Sequence, residues 1–181
     1  MMVLEFCENG NLRDHLKQSE YINFNQKVEN LFDIISGLLN IHNANKVHKD
    51  FHSGNILYRR SSFSQSSSAS YIVRIGDLGM CQPANNEQLV QEGIFGVLPY
   101  MAPEVLRGRQ YTKAADVYSF GIIMNELLSE KIPYSNIPHD SNLAIKICKG
   151  LRPEISEDIP KLFVDLIIKC LDANAENRPT A

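Results

Sequence analysis

The sequence predicts a mainly α-helical fold with a few short β-hairpins gathered around one system of loops. Apolar residues recur with helical spacing over residues 26–43 and 117–128, and two shorter helical patterns follow at 141–149 and 161–171. Strand-like runs are brief, at residues 2–6, 56–59 and 71–75. A chain of 181 residues is long enough for one domain with a substantial core.

The first elements are a short strand and a short helix. Residues 2–6 are mostly apolar and are typical of a strand, which ends at the turn sequence Asn9-Gly10-Asn11. Residues 12–18 form a candidate short helix. The long helix over residues 26–43 can be capped by Asn23 or Asn25. Its predicted apolar face consists of Val28, Leu31, Phe32, Ile35, Leu38, Leu39 and His42.

Residues 59–70 form a serine-rich insertion between the two central strands. The segment holds seven serines and few apolar side chains. Because such a composition buries too little surface to offset the entropy of ordering, we expect a mobile insertion in a hairpin. A functional phosphorylation tract is the alternative, and composition leaves it open.

The second half of the sequence is helical after a long loop. Residues 76–103 show no clear period, and stretches of that length in a compact domain are usually functional or disordered. The next helix is predicted by a stripe of Val117, Phe120, Gly121, Met124, Leu127 and Leu128, with Thr112 as its cap. Helices at 141–149 and 161–171 follow, the second after Pro160.

Composition and charge exclude several classes of protein. The chain is 44% hydrophobic and 22% charged, which is ordinary for a soluble globular protein. A net charge of -3 offers no basic field to nucleic acid or anionic lipid. No apolar run approaches the roughly 18 residues of a membrane span. The four cysteines lack metal-binding spacing, so we expect reduced thiols, with a disulfide or zinc site as the minor alternative. These features favour a cytoplasmic protein.

Two loops carry the residues that indicate chemistry. Asp50 and Asn55 stand five positions apart within VHKDFHSGNIL, and Asp77 lies in GDLG directly after a predicted strand. For either aspartate alone, a turn or helix cap is the plainer interpretation. A carboxylate and a carboxamide from adjacent strand ends suit Mg²⁺. A second carboxylate nearby can accept a proton from a hydroxyl group. Together the three residues predict phosphoryl transfer.

These motifs resemble those of the protein kinase superfamily. HKDFHSGN is similar to the catalytic loop HRDxxxxN, GDLG is similar to the metal-binding DFG, and Ala102-Pro103-Glu104 matches the APE that closes the activation segment. DVYSFG resembles the helix that anchors the C-terminal lobe, and NRPT resembles the segment whose Arg pairs with the APE glutamate. HKDFHSGNIL and ICKGLRPEI look most like the tyrosine-kinase-like branch.

The resemblance implies a role for each matching residue. Asp50 is then the catalytic base, and Asn55 and Asp77 are the Mg²⁺ ligands. The implied ATP-binding positions are Leu4, Glu5, Cys7 and Leu57, with Leu4 as the gatekeeper, Glu5 and Cys7 in the hinge, and Leu57 beneath the adenine.

The resemblance also implies residues that support the site. His48 and Leu78 are expected to pack in an internal apolar column, and Asp116 is expected to hold the catalytic-loop backbone. A partly buried ion pair is expected between Glu104 and Arg178. Lys49 stands where the family has the HRD arginine, which can grip an activation-loop phosphate, and a lysine lacks that bidentate fork.

Other departures concern the acceptor. His52 replaces the lysine common two residues after the catalytic aspartate of Ser/Thr kinases, and Leu78 replaces the phenylalanine of DFG. Val97 stands where a hydroxyl residue often follows Gly96, which removes one hydrogen bond toward the catalytic loop. Ser/Thr versus Tyr as acceptor is therefore open, with the balance toward Ser/Thr.

The resemblance therefore implies that the chain is an ATP-dependent protein kinase that acts on protein substrates in signal transduction. Residues 1–181 match a partial kinase domain, from the hinge strand to the helix before the last one. We therefore expect a C-terminal lobe with the N-terminal lobe largely absent. The alternative is a pseudokinase or scaffold, or a truncated fragment that only binds partners. The intact catalytic residues argue against this alternative, and the missing phosphate-binding parts argue for it.

The activation segment indicates how such a kinase is controlled. Residues 77–104 contain no Ser or Thr, and their only hydroxyl is that of Tyr100. We therefore expect the segment to be held by packing of Leu89, Ile94, Phe95 and Leu98, or by a regulatory protein partner, rather than by phosphorylation.

Overall fold

The computed structural model describes residues 7–18, 22–60, 71–84 and 96–181, and these residues are mainly helical. Several predictions fall outside the described residues. They are the strand at 2–6 with Leu4 and Glu5, most of the serine-rich insertion, and the packing of Leu89, Ile94 and Phe95.

A short helix and the turn before it are fastened to the first central strand. Helix α1 covers Leu12–Lys17, and the Asn11 side chain caps it by accepting a hydrogen bond from the Asp14 amide at 3.0 Å. Gly10 has a φ of 74°, a conformation that glycine adopts without steric cost. Its carbonyl accepts the Tyr58 amide at 2.9 Å. This bond places the start of α1 beside the strand that contains Leu57.

Helix α2 covers Phe24–Asn43 and begins with a capping box. The Asn23 side chain accepts the Gln26 amide, and the Gln26 side chain accepts the Asn23 amide. Of the two caps considered from the sequence, Asn23 is the one used. Four members of the buried face are Leu31, Ile34, Leu38 and His42.

The predicted apolar face of α2 is wrong at two positions. Phe32 is 69% exposed and Leu39 is 40% exposed, whereas Lys27 and Asn30 are buried. Lys27 Nζ donates to the Leu128 carbonyl at 3.2 Å, and Asn30 Nδ2 donates to the Tyr58 hydroxyl at 2.9 Å. These distant partners turn a polar edge of the helix inward, which hydrophobic spacing alone does not predict.

Two short antiparallel ladders bracket the loops that carry the candidate site. Strand β1 (Lys46–Val47) pairs with β4 (Gln82–Pro83), and β2 (Ile56–Arg60) pairs with β3 (Tyr71–Ile75). The predicted hairpin of two central strands is therefore confirmed. Residues 48–55 lead from β1 to β2, and residues 76–81 lead from β3 to β4. Because both loops run between the same two ladders, they lie side by side.

Helix α4 (Lys113–Ser129) forms the centre of the core. Every residue from Ala115 to Leu128 is buried, so the predicted one-sided stripe is too narrow a description. A helix buried on all sides needs partners for its polar residues, and three of these, Asp116, Ser119 and Glu126, have them. Thr112 stands at the N-cap position, but its side chain makes no capping bond.

The remaining helices surround α4. They are α3 (Pro103–Leu106), α5 (Ser141–Cys148) and α6 (Lys161–Cys170). The sequence predicted α5 and α6 to within one residue at each end. Asp140 is the N-cap of α5, and its carboxylate accepts the amides of Asn142 and Leu143.

The close approach of α4 and α6 requires glycine at position 121. An alanine Cβ there would lie 2.7 Å from Cys170 Cβ and 3.0 Å from Leu171 Cδ2. We expect Gly121→Ala to destabilise the protein by roughly 1–3 kcal/mol in chemical denaturation, because the helices must separate.

Gly37→Ala in α2 is the matched control. Its Cβ would meet Ile75 Cδ1 at 2.9 Å, which is the flexible end of a side chain. Both substitutions gain about 1 kcal/mol in helix propensity, so Gly37→Ala should stay within about 1 kcal/mol of the natural protein. Equal stability of the two variants would contradict the argument.

Candidate active site

A buried carboxylate holds the backbone of residues 48–55, called here the Asp50 loop. Asp116 is 0% exposed. Its Oδ2 accepts the His48 amide at 2.8 Å, and its Oδ1 accepts the Lys49 amide at 3.1 Å. His42 Nε2 donates to Oδ2 at 3.0 Å. Lys49 has a φ of 72°, which is costly for a residue with a side chain. The anchoring geometry expected of Asp116 is present, and it maintains this strained turn.

His48 connects the Asp50 loop to the residue before Asp77. The imidazole is fully buried, and its Nε2 donates to the Gly76 carbonyl at 3.1 Å. Its Nδ1 accepts the Asp50 amide at 3.3 Å, and its ring contacts Phe51 with centroids 5.4 Å apart. The packing expected of His48 is therefore present.

The corresponding expectation for Leu78 is wrong, because its side chain is 50% exposed. Asp77 adopts a left-handed conformation with φ 51°, and its carboxylate accepts the Gly79 amide at 3.2 Å. This turn starts the 3-10 helix Leu78–Met80, which carries Leu78 to the surface of the described residues.

Asp50 and Asn55 lie in direct contact. Asn55 Nδ2 donates to the Asp50 carbonyl at 2.8 Å and approaches Asp50 Oδ2 at 3.4 Å. Because the side-chain nitrogen of Asn55 is engaged in this way, the side-chain oxygen Oδ1 is the atom that can act as a metal ligand. The Asn55 carbonyl of the main chain accepts the Gly76 amide at 2.8 Å, next to the Ile56–Ile75 pair of the hairpin. This bond brings Asn55 next to the Asp77 turn.

The donor set at this position suits a hard cation. Among the described residues, no group of three or more His, Cys, Asp or Glu side chains is placed to hold a metal ion. Asn55 and Asp77 offer two oxygen ligands, and Mg²⁺ is commonly bound by one or two protein groups together with phosphate and water. The residues therefore fit Mg²⁺ bound with a nucleotide.

Leu57 is a residue of β2 and pairs with Arg74 of β3. A Cβ on Gly76 would come within 2.6 Å of Leu57 Cδ1, so the leucine side chain packs directly against the main chain of Gly76. Cys7 is partly buried near the start of the described residues, and all four cysteines are free thiols.

His52 lies against the Asp50 carboxylate. Its Nε2 is 3.5 Å from Asp50 Oδ2, and its Nδ1 accepts the Gly54 amide at 3.0 Å. Burial lowers the pKa of His52, and the neighbouring Asp50 carboxylate partly opposes this shift.

Lys49 is directed along the loop that follows Asp77. Its Nζ donates to Gln82 Oε1 at 3.0 Å, and burial lowers its pKa. The charge that takes the place of the HRD arginine is thus engaged by a residue of β4.

Ser53, Tyr100 and Glu126 form a buried polar network that sequence analysis missed. The Tyr100 hydroxyl donates to Glu126 Oε2 at 2.6 Å, and the Ser53 hydroxyl donates to Oε1 at 3.1 Å. Burial raises the pKa of Glu126 and also that of Tyr100. The only sequence signal was a glutamate next to the apolar stripe of α4. Tyr100 is 3% exposed, and its hydroxyl is engaged by hydrogen bonds with Glu126 and Ser53.

Glu104 and Arg178 form the predicted ion pair. Arg178 NH1 and NH2 each donate to one Glu104 oxygen at 2.7 Å. The arginine also donates to the carbonyls of Ala114 and Asp172, both at 2.9 Å. Its guanidinium carbon lies 5.1 Å from the centre of the Tyr118 ring. The pair joins α3 to the end of the chain.

Comparison with known proteins agrees with this geometry. A family model described as protein tyrosine and serine/threonine kinase matches residues 1–181. The chain belongs to this kinase family. It is 32% identical to a probable serine/threonine-protein kinase of Dictyostelium discoideum over 98% of its length. It is 30% identical to the RGS domain-containing serine/threonine-protein kinase A of the same organism over 98% of its length.

A third relative comes from an animal. Over the whole length of this chain, the sequence is 30% identical to the serine/threonine-protein kinase Nek9 of Mus musculus. It spans 12%, 15% and 18% of these three relatives in turn, so it corresponds to a small part of each. Within the segments that the structure describes, no helix has both the length and the apolarity to cross a membrane.

Breaking the Glu104–Arg178 pair should be costly. Arg178→Met leaves the Glu104 carboxylate buried without its partner, and we expect a loss of about 3–5 kcal/mol in the free energy of unfolding. Arg178→Lys should also destabilise the protein, because the two-pronged geometry is lost.

The control for this measurement is Glu130→Gln, which removes the Lys27–Glu130 ion pair. The Glu130 side chain is 47% exposed and Lys27 keeps its hydrogen bond to the Leu128 carbonyl, so this change should cost less than about 1 kcal/mol. If Arg178→Met lowered the free energy of unfolding by the same small amount, the buried pair would contribute no more to stability than an exposed one.

Glu126 makes stability depend on pH. Since its pKa is raised in the folded protein, ionisation of this carboxyl opposes folding. Its contribution is most favourable below the ordinary value of 4.5 and declines as pH rises through the raised pKa. Glu126→Gln cannot ionise, so its stability relative to the natural protein should rise over that window.

Urea denaturation from about pH 4 to pH 8 measures this difference. Glu157→Gln, at an exposed glutamate, is the control that should run parallel to the natural protein. A constant difference between Glu126→Gln and the natural protein at all pH values would disprove the assignment.

Proposed function

We propose that this chain is the C-terminal lobe of a protein kinase domain that transfers the γ-phosphate of ATP to Ser or Thr hydroxyls of protein substrates. On this proposal residues 1–181 are one part of the domain, and residues 59–70 are a mobile insertion in it. Asp50 is the catalytic base, Asn55 and Asp77 bind Mg²⁺, and Leu4, Glu5, Cys7 and Leu57 surround the adenine. The observation that carries the proposal is the contact of Asp50 with Asn55, next to the Asp77 turn.

Asp50 is suited to take the proton of an acceptor hydroxyl. Its side chain is 19% exposed, so a substrate can reach it, while Asn55 and the Asp116 anchor hold its position. As the new O–P bond forms, the hydroxyl proton moves to Asp50. The bond from the γ-phosphorus to the bridging oxygen breaks, and ADP leaves.

The supporting residues position this step. Bound Mg²⁺ would neutralise the negative charge that develops on the phosphates. The Asn55 amide nitrogen orients the Asp50 main chain, and the Asn55 oxygen and the Asp77 carboxylate are the ligands available to the ion. The choice of Ser or Thr as the acceptor is supported by the relatives, which are named as serine/threonine-protein kinases.

The same proposal includes a cellular location and a mode of control. Free thiols at all four cysteines fit a reducing compartment, and we place the protein in the cytoplasm. Because the Tyr100 hydroxyl is committed to Glu126 and Ser53, control by a regulatory protein partner fits better than phosphorylation of this tyrosine.

Asp50→Asn tests the proposal. In the full-length natural protein we expect ATP binding to be kept and turnover of a peptide substrate to fall by roughly 10²–10⁴-fold, because an amide cannot serve as a base. Asp165→Asn, on the exposed surface of α6, is the matched control and should leave turnover unchanged.

Radiolabelled phosphate transfer and nucleotide titration measure the two quantities. Near-normal turnover in Asp50→Asn would refute the base assignment. A natural protein that binds partners but transfers no phosphate would instead establish the pseudokinase or scaffold alternative.

A further inference from the structure

The His52 ring is locked onto the turn that follows Asp50. His52 is the N-cap of the 3-10 helix Ser53–Asn55, and its Nδ1 accepts the Gly54 amide at 3.0 Å. Its main-chain carbonyl accepts the Asn55 amide at 2.9 Å. A Cβ on Gly54 would lie 2.8 Å from His52 Cε1 and 2.9 Å from Nδ1. Glycine at position 54 is therefore what allows the imidazole to lie flat against the turn.

This arrangement decides which ring nitrogen carries the proton. A nitrogen that accepts a main-chain N–H cannot itself be protonated, so the hydrogen of the neutral ring lies on Nε2. Nε2 faces Asp50 Oδ2 at 3.5 Å. The contact is long for a hydrogen bond, and such contacts commonly shorten when substrate binds.

A second donor approaches the same carboxylate oxygen. Asn55 Nδ2 lies 3.4 Å from Asp50 Oδ2, so the contacts of His52 and Asn55 both converge on Oδ2. Within the described part of the chain, the contacts of both donors are with Oδ2 and not with Oδ1. We propose that His52 is a positioning residue that, together with Asn55, holds Oδ2 of Asp50 and leaves Oδ1 to receive the proton of the acceptor hydroxyl.

The far side of the imidazole is supported by the buried network. The ring centroids of His52 and Tyr100 are 5.9 Å apart, and Tyr100 is itself held by Ser53 and Glu126. The ring is thus confined between Asp50 and a tyrosine that cannot rotate away. A flexible lysine, common at this position in the family, would not be confined in this way.

The inference rests on the proposed function, since it assigns the two oxygens of the base in that reaction. It adds that the orientation of Asp50, and not only its presence, limits the rate. Loss of the Nε2 donor should therefore lower kcat and leave the KM for ATP unchanged, because His52 acts on the base and not on the nucleotide.

The test compares three variants of the full-length natural protein. His52→Phe keeps a ring without a donor, and we expect kcat to fall roughly tenfold to a hundredfold, as for a misplaced catalytic group. His52→Gln restores an N–H donor near the Nε2 position and should retain kcat to within about threefold. Gly54→Ala keeps the imidazole but displaces it, so it should resemble His52→Phe.

Two kinetic outcomes overturn the proposal. One is a kcat of His52→Phe within about twofold of the natural value, and the other is a His52→Gln variant as slow as His52→Phe. The thermal unfolding midpoint of each variant separates lost positioning from lost folding, and Gly54→Ala supplies a second measurement should His52→Phe fail to fold.

A spectroscopic readout works without turnover. Long-range ¹H–¹⁵N spectra of the imidazole should show the Nε2-protonated tautomer in the natural protein and a changed signal in Gly54→Ala. An Nδ1-protonated ring overturns the inference even where the enzyme is active. A natural protein with the expected tautomer but no phosphate transfer refutes the proposed function and leaves the His52–Asp50 geometry established.

Discussion

The buried carboxylate of Asp116 is the constraint on which the candidate site depends. A charge with no exposure to water is tolerated only when donors surround it, and the described donors to Asp116 include the side chain of His42 and the amides of His48 and Lys49. Two of these donors belong to the loop that presents Asp50. The same hydrogen bonds therefore compensate the buried charge of Asp116 and stabilise the strained turn at Lys49. Formation of the core around Asp116 thus also fixes the position of Asp50.

Helix α4 extends this control to the opposite side of the site. Ser119, three residues after Asp116, donates to the Tyr100 carbonyl at 2.7 Å, and Glu126 accepts the Tyr100 hydroxyl. At 100° per residue these three polar positions fall on one face of the helix. A single buried helix thus positions both the Asp50 loop and the segment that contains Tyr100. A site built on one rigid element keeps its geometry better than a site built on loops alone.

The sequence was a good guide wherever information is local. Helical spacing located α2, α5 and α6, with Asn23 among the two expected caps of α2 and Pro160 directly before α6, and the motifs directed attention to the loops that hold Asp50, Asn55 and Asp77. It failed where the deciding contact is distant along the chain and belongs to no motif. Lys27 is buried because it reaches Leu128, 101 positions away, and that contact exposes Phe32 instead. Glu126 went unnoticed because its partners, Ser53 and Tyr100, come together only in three dimensions.

Two of the departures from the family pattern share one physical consequence. Lys49 and His52 both stand where the family commonly has another basic side chain, and burial lowers the pKa of each. Lys49 is engaged by Gln82 of β4, and His52 by the Gly54 amide and the Asp50 carboxylate. The loops are thus held by partners within the chain, reinforced by the pairing of β1 with β4 and by the Tyr100 network. Within the described residues, the Asp50 loop and the turn at Asp77 are therefore brought together by contacts inside the chain and not by an added phosphate.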